Sequence, residues 1–197
     1  WYPGETISVS IGQGQVSVTP ISLAVMMATV ANEGRRVVPR LLHSYNDGSG
    51  WQLVESNKNP PRVELAPTTL DVVKRGLWMA VNREGTGRRG RITGRDVIGK
   101  TGTTQVISLS GREAADGSTR DLRDHGWFVF AAPRENPEIA GVVFGEHAEH
   151  GYLTAPIARH VIETFFAKRE GRDLPTLPMP SKVPPVSPVL TNIGGGE

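Results

Sequence analysis

The sequence contains no cysteine, and it has no apolar run of the about 18 to 20 residues that a membrane-spanning helix requires. Without cysteine, disulfides, thiolate metal ligands and a cysteine nucleophile are excluded, although no redox compartment follows from this. No signal peptide is visible either, so we expect any membrane anchor to lie upstream of these residues.

Excess charge of either sign is also small. Lys and Arg number 22 against 20 Asp and Glu, which gives a formal net charge of +2. Such a mildly basic chain suits an anionic substrate or surface, but it falls far short of a nucleic-acid-binding signature. At 197 residues with 38% hydrophobic content, the chain can bury one core and form one or two domains.

Three helices are predicted from caps and apolar spacing. Thr19 caps and Pro20 opens the first, which ends near Gly34 and is expected to be buried on nearly every face. A second begins at Thr68, with Asp71 as a capping-box analogue, and ends near residues 84–85. Its predicted inward stripe consists of Leu70, Val73, Leu77, Trp78 and Val81. The third runs over residues 155–168 and covers a sheet.

Strands are predicted at residues 97–107, 126–132 and 138–145. The last two are close in sequence, with Pro133 to Pro137 between them, which favours an antiparallel hairpin. Polar and glycine residues between Ile107 and His125 predict a long excursion between strands. Together these elements predict an α/β (α+β) fold in which an antiparallel sheet is flanked by helices.

The region beyond Gly171 is rich in proline. Six of the 15 prolines lie between Pro175 and Pro188, and the chain ends with Gly194-Gly195-Gly196-Glu197. This composition predicts a disordered or polyproline tail over residues 171–197, with a proline-rich ligand for a partner domain as the alternative. Residues 1–170 are then the folded part.

Lys100-Thr101-Gly102-Thr103 carries the clearest chemical signal, because it lies within a predicted strand. Lys100 is a compact cation that can attract a carboxylate and depress the pKa of proton-shuttling groups. The hydroxyls of Thr101 and Thr103 can bind that carboxylate, and Gly102 lets a ligand backbone lie against the strand. This placement predicts that one edge of the strand lines a cleft, with Thr104 at the end of the site.

This tetrapeptide resembles the third motif of the penicillin-recognising serine acyltransferases. Three further blocks resemble elongation-type class B transpeptidases of the penicillin-binding protein 2 family: residues 1–7, residues 11–20, and Leu122-Arg123-Asp124-His125 leading into residues 127–133. The resemblance implies the fold that penicillin-binding transpeptidases share with serine β-lactamases. It also implies that Lys100, Thr101 and Gly102 are catalytic, and that Thr103, through its N–H, and Thr104 bind substrate and form the oxyanion hole.

The nucleophile motif of that family, Ser-x-x-Lys, is absent from these residues. Ser44-Tyr45-Asn46 fits the family's Ser-x-Asn motif, but the following Asp47 and Gly48 favour a hairpin turn instead. Because the chain begins at Trp1, we expect it to be the C-terminal part of a longer protein. Alone, it is not expected to transfer an acyl group.

For the parent protein, the resemblance implies a peptidoglycan D,D-transpeptidase that cross-links stem peptides during cell elongation and is acylated by β-lactams. The implied partners are a membrane glycosyltransferase and a periplasmic scaffold, at the periplasmic face of the cytoplasmic membrane; no cofactor or nucleic acid is implied. A serine β-lactamase or D,D-carboxypeptidase is one alternative. A non-catalytic penicillin-recognising sensor or scaffold is the other.

Two other segments have alternative interpretations. Residues 85–91 contain three arginines, with Arg95 just beyond, and could bind a phosphate or a nucleic acid. Because they follow a helix and no aromatic residues lie among the arginines, they are interpreted as a surface loop that touches substrate. Residues 146–150 offer imidazoles and carboxylates for zinc, but they are interpreted as a solvated loop, so no metal site is predicted. His125, with Asp124 as its neighbour, is expected to be a hydrogen-bonded structural residue.

Overall fold

A computed structural model describes residues 1–14, 16–55, 59–106 and 122–177 of the chain. The helices are α1 (Pro3–Ser10), α2 (Pro20–Ala31), α3 (Pro67–Asn82) and α4 (Ala155–Arg169). The strands are β1 (Ser44–Asn46), β2 (Trp51–Leu53), β3 (Ile98–Thr104), β4 (His125–Ala132) and β5 (Ile139–Gly145). Two short 3-10 helices, Arg88–Gly90 and Gly151–Leu153, complete the described elements.

The main sheet has the strand order β3-β4-β5, and both of its pairings are antiparallel. Lys100 lies opposite Val129, and Gly126 lies opposite Gly145. The three strands predicted from the sequence and the hairpin between the last two are therefore confirmed. Since β4 is central, β3 lies at one edge of the sheet.

Helices pack on both faces of this sheet, which confirms the predicted fold class. Phe128 and Phe130 of β4 face one way and pack with Ile162 and Phe166 of α4. The alternate residues of β4, Val129 and Ala131, pack on the other face with a second cluster that contains Met27 of α2 and Leu77 and Trp78 of α3. This alternation follows from the two-residue period of a strand.

Helix α3 begins differently from the prediction. Pro67 is its first residue and Ala66 is the N-cap, without a capping side chain, so the capping box of Thr68 and Asp71 is wrong. Proline is favoured at the first helical position because a backbone N–H there would have no hydrogen-bond partner within the helix, so proline loses no bond by lacking this group. The buried stripe also differs, because Lys74 is only 6% exposed whereas Val73 is 42% exposed. Leu70 and Val81 are buried as predicted.

Helix α2 confirms its predicted cap, since Thr19 Oγ1 accepts a hydrogen bond from the N–H of Ser22 at 3.3 Å. The expected burial on nearly every face is wrong for the described residues. Met27 is buried against the sheet, but Ile21 and Met26 are exposed. The sheet covers only one side of the helix, and no other described element encloses the opposite side.

Two elements lie outside the main sheet. Helix α1 was not predicted, and none of its residues is buried. Strands β1 and β2 form a separate antiparallel hairpin in which Gly48 and Gly50 adopt positive φ. The side-chain hydroxyl and the N–H of Ser49 donate hydrogen bonds to Asp47 and lower the pKa of its carboxyl group. Ser44-Tyr45-Asn46 is thus the first strand of a hairpin, as interpreted from the sequence.

Some predictions fall outside the described residues. The excursion before His125 falls largely within residues 107–121, and most of the proline-rich tail falls within residues 178–197. Helix α4, which was predicted over residues 155–168, ends at Arg169.

The ring of Phe128 is fully buried, and three glycines are pressed against it. A Cβ atom added at Gly90 would lie 2.8 Å from the ring, at Gly99 2.9 Å and at Gly87 3.1 Å. Real Cβ contacts are longer than the first two distances, so only glycine fits at Gly90 and Gly99 without displacing the ring, and the contact at Gly87 is tight. The ring of Phe128, which belongs to β4, therefore packs against β3 and against the loop that precedes it.

We predict that Gly90→Ala destabilises the fold by about 1–3 kcal/mol, because overpacking displaces a buried ring. Gly76→Ala is the matched control, since nothing lies within 4 Å of an added Cβ at this exposed position of α3. The control should be about 0.5–1 kcal/mol more stable than the starting protein, because alanine is the better helix former. Urea midpoints followed by tryptophan fluorescence measure both. Equal midpoints for Gly90→Ala and the unchanged protein would contradict the role of the ring.

Candidate active site

The predicted site residues all lie on β3. Lys100, Thr101, Gly102 and Thr103 are its third to sixth residues, and Thr104 is its last residue, opposite His125 of β4. Among the described residues, no strand pairs with the other edge of β3. A ligand in extended conformation can therefore approach that edge.

Neighbouring site residues point to opposite faces of the sheet. Lys100 is exposed and lies opposite Val129, on the face covered by α2 and α3. Thr101 lies opposite Phe128, on the face that α4 covers. The ammonium group of Lys100 donates a hydrogen bond to the carbonyl oxygen of Thr101 at 2.8 Å, so it folds back along the strand.

The backbone of β3 has a defined orientation at Thr103. Its carbonyl oxygen accepts a hydrogen bond from Nε2 of Gln13 at 3.1 Å, and Gln13 is not part of the sheet. In an antiparallel pair, a residue directs its N–H and its C=O to the same side. This contact favours an arrangement in which the N–H of Thr103 also points toward the open edge.

The loop that precedes β3 reaches the site through Thr86. The hydroxyl oxygens of Thr86 and Thr101 are 2.6 Å apart, which is a hydrogen bond in which either group can donate. The sequence predicted that this loop lies at the surface and touches substrate. The hydrogen bond between Thr86 and Thr101 joins the loop to the Lys-Thr-Gly strand. Thr86 itself is exposed, so the pair is accessible from solvent.

The 3-10 helix Gly151–Leu153 supports the same part of β3. The N–H of Gly151 donates to Oγ1 of Thr103 at 3.2 Å. A Cβ atom added at Gly151 would lie 2.2 Å from the carbonyl oxygen of Gly102 and 2.7 Å from that of Trp127. Gly151 thus lies directly against β3 and β4, and its missing side chain permits this approach.

His125 has a structural environment, as expected. Its Nδ1 accepts a hydrogen bond from the N–H of His147 at 3.0 Å, and its ring meets that of Phe144 edge-on at 5.2 Å. The carbonyl oxygen of Asp124 accepts from the N–H of Glu149 at 2.9 Å. These contacts fasten the loop after β5 to the start of β4. In the part of the chain that the structure describes, no three His, Asp or Glu side chains are grouped as a metal site would require.

A cleft of about 880 Å³ is lined in part by Arg83, Arg88, Arg91 and Arg95, and none of its lining residues belongs to Lys100–Thr104. Three of its guanidinium groups are already engaged, since that of Arg88 lies 3.5 Å from the carboxylate of Glu84. Arg83 lies over the ring of Trp78 at 5.6 Å, and Arg95 is paired with Glu170 and lies over Phe166. The cleft is therefore separate from the Lys-Thr-Gly site.

The structure brings together residues that are distant in sequence: Thr86 and Gly151 join Thr101 and Thr103, and Gln13 joins Thr103. Gln13 and Thr86 were not predicted as site residues. Both lie in segments that carry a sequence signal, the glycine-rich block at residues 11–20 and the loop at residues 85–91. Ser44 remains in the separate β1-β2 sheet.

A helix-covered antiparallel sheet with Lys-Thr-Gly on its edge strand defines the class of penicillin-recognising domains. The chain belongs to the family of penicillin-binding protein transpeptidase domains, whose model matches residues 1–163. Its relatives include the peptidoglycan D,D-transpeptidase MrdA of Acinetobacter baumannii, which is 35% identical over 201 residues, covering 100% of this chain and 28% of the relative.

The chain is also similar in structure to penicillin-binding proteins of known structure. PBP2 of Pseudomonas aeruginosa in complex with WCK 5153 is 35% identical, with a TM-score of 0.69, over 87% of this chain and 36% of that one. Penicillin-binding protein A of Mycobacterium tuberculosis, as an imipenem acyl-enzyme complex, is 26% identical, with a TM-score of 0.64, over 79% of this chain and 32% of that one. The resemblance to the penicillin-binding protein 2 family is confirmed.

The chain spans about a quarter of the length of the MrdA relative. No helix among the described residues is both long enough and apolar enough to cross a bilayer.

We predict that Gly151→Ala destabilises the protein by about 1–3 kcal/mol, because the added methyl group would collide with two backbone carbonyls. Gly102→Ala is the control, since its added Cβ would lie 3.5 Å from Cβ of Trp127, an ordinary contact. The urea midpoint should fall for Gly151→Ala and stay within about 0.5 kcal/mol of the starting value for Gly102→Ala. A fall of equal size in both would refute this account of Gly151.

Proposed function

We propose that this chain is the C-terminal part of the transpeptidase domain of an elongation-type peptidoglycan D,D-transpeptidase. The observation that carries the proposal is the open edge of β3, where Lys100–Thr103 are free of strand pairing by any described residue on one side. Family membership and the D,D-transpeptidase relative support it. In this proposal residues 1–170 form the domain part, and residues 171–197 form the tail.

The reaction needs a serine from outside this chain. Its oxygen attacks the carbonyl carbon of the penultimate D-alanine of a stem peptide, the amide C–N bond breaks, and D-alanine leaves with a proton on its nitrogen. The amine of a neighbouring stem peptide then attacks the resulting ester, which forms a new amide and returns the proton to the serine. Atoms balance without a metal or an organic cofactor.

The residues of β3 supply binding and electrostatic stabilisation. The terminal carboxylate of the stem peptide lies against the open edge of β3, where Lys100 from one face of the sheet and the hydroxyl of Thr101 from the other bind it, and Gly102 lets the peptide backbone approach. The N–H of Thr103 donates to the oxyanion of the tetrahedral intermediate, an interaction typically of about 3 kcal/mol. Thr104 completes the substrate-binding strand. The contact of Gln13 with the carbonyl of Thr103 supports the orientation that this N–H requires.

In the cell, we propose that the parent protein acts at the periplasmic face of the cytoplasmic membrane. A membrane glycosyltransferase of the elongation machinery and its periplasmic scaffold are the proposed partners. β-Lactams acylate the same serine because they mimic the stem peptide. The isolated chain is proposed to be inactive because it lacks Ser-x-x-Lys.

Intact mass spectrometry after incubation with a reactive penicillin tests the proposal. Full-length protein should gain one drug mass, and the 197-residue chain should gain none. Acylation of the short chain would place the nucleophile within it and make Ser44 the first suspect. If neither protein is labelled, the sensor alternative is favoured. Rapid release of the drug by hydrolysis would instead indicate a β-lactamase.

We predict that Lys100→Met lowers the second-order rate of penicillin acylation of the full-length protein by about 100-fold or more, because the substrate carboxylate loses its cation. Lys168→Met is the matched control, since Lys168 is exposed in the last turn of α4. The control should acylate at the unchanged rate. Rates are measured by stopped reactions with a fluorescent penicillin, and similar rates for both variants would argue against the role of Lys100.

A further inference from the structure

We infer that Thr86 is a positioning residue that orients the hydroxyl of Thr101 toward the substrate carboxylate. The inference rests on the proposed function and extends it to a residue outside the Lys-Thr-Gly strand. It begins from the 2.6 Å contact between the two hydroxyl oxygens, which joins residues 15 positions apart in the sequence.

The number of hydrogens available decides which of the two hydroxyl groups donates once a ligand is bound. A hydroxyl group has one hydrogen to donate, whereas an ionised carboxylate can only accept. When Thr101 donates its hydrogen to a carboxylate, its oxygen can no longer donate to Thr86. The hydrogen of Thr86 must then point to Oγ1 of Thr101, so the two hydroxyls form a chain that ends on the ligand. Hydrogen bonds in such a chain polarise and strengthen one another.

Thr86 is held in place by its two glycine neighbours. The N–H of Gly87 donates to the carbonyl oxygen of Ala80 at 2.9 Å. A Cβ atom added at Gly85 would lie 2.4 Å from that same oxygen, and one added at Gly87 would lie 3.1 Å from the ring of Phe128. The loop is therefore packed tightly on the end of α3 and on this ring.

The same ring also sets the position of Thr101. Phe128 lies directly opposite Thr101 in the antiparallel register of β3 and β4. One buried residue thus lies next to both partners of the hydroxyl pair: its ring packs at Gly87, beside Thr86, and its backbone lies opposite Thr101. A pair held in this way keeps its geometry before the ligand arrives, which reduces the entropy lost on binding.

The exposure of the Thr86–Thr101 pair distinguishes a role in substrate binding from a role in folding alone. Thr86 is exposed and Thr101 is half-buried, so the hydrogen-bonded pair is accessible to a ligand from solvent. A hydrogen bond that served only the fold would have no reason to respond to the charge of a ligand. This difference can be measured.

The test compares Thr86→Val, Thr86→Ser, Thr101→Val and the Thr86→Val/Thr101→Val double variant of the full-length protein. Each is acylated with a penicillin that carries a free carboxylate and with its methyl ester. Thr86→Val should slow acylation by the free acid about tenfold, the effect expected for the loss of one hydrogen bond. The ester rate should change by less than about twofold, because the ester lacks the anionic acceptor.

Two further results are expected. Thr86→Ser should restore most of the free-acid rate, because serine keeps the hydroxyl. In the Thr101→Val background, Thr86→Val should add no further loss, because a residue that acts only through Thr101 has nothing left to orient.

Several outcomes would overturn the inference. These are a free-acid rate unchanged in Thr86→Val, equal slowing with the acid and the ester, failure of Thr86→Ser to recover, or losses that add in the double variant. Urea midpoints of all variants identify any general loss of folding, which would slow both ligands equally. If the unchanged protein is not acylated by either ligand, the proposed function fails and the inference fails with it.

Discussion

The close packing of backbone against the ring of Phe128 is the constraint on which the arrangement of the site depends. This ring is fully buried, the backbones at Gly90 and Gly99 approach it more closely than a residue with a Cβ could, and the backbone at Gly87 approaches it almost as closely. The loop before β3, the start of β3 and the middle of β4 are therefore held at one point. Because Phe128 lies opposite Thr101, that point is directly beneath the Lys-Thr-Gly segment.

A second constraint on β3 comes from segments that lie before and after it in the sequence. Gly151 packs on the carbonyl oxygen of Gly102, and its N–H binds Thr103. Gln13 approaches the open edge and binds the carbonyl of Thr103. Two segments distant in sequence therefore contact one strand, while the edge of that strand has no strand partner among the described residues. An edge strand is normally a liability, and here it is the surface that the proposed substrate needs.

The local pattern of the sequence was sufficient for most of the secondary structure. Strands β3, β4 and β5 lie where alternation and β-branched residues predicted them, and α2 begins at the predicted cap, Thr19. The prediction from the local pattern failed where two signals for the start of a helix competed. At the start of α3, Pro67 took the first helical position, and the capping box of Thr68 and Asp71 did not form.

Burial was harder to predict than secondary structure, because it depends on what packs against an element. Lys74 is buried on α3 although its charge predicts exposure, and its long aliphatic stem allows this. Ile21 and Met26 of α2 are exposed although they are apolar. Neither result follows from helical periodicity, which gives the angle between side chains but not the position of the neighbours.

The sequence by itself determined the motif, the strand that carries it, the hairpin at residues 44–53 and the absence of Ser-x-x-Lys, because each of these is a property of a short run of residues. Only the tertiary structure decided that Thr86 meets Thr101, that Gln13 meets Thr103 and that Gly151 lies on Gly102. These contacts join residues separated by 15, 90 and 49 positions, and local periodicity contains no information about such pairs. The contact of Thr86 with Thr101 arises because β4 aligns β3 in register and the buried ring of Phe128 packs against the loop before β3. The other two contacts bring segments from before and after the sheet strands onto β3.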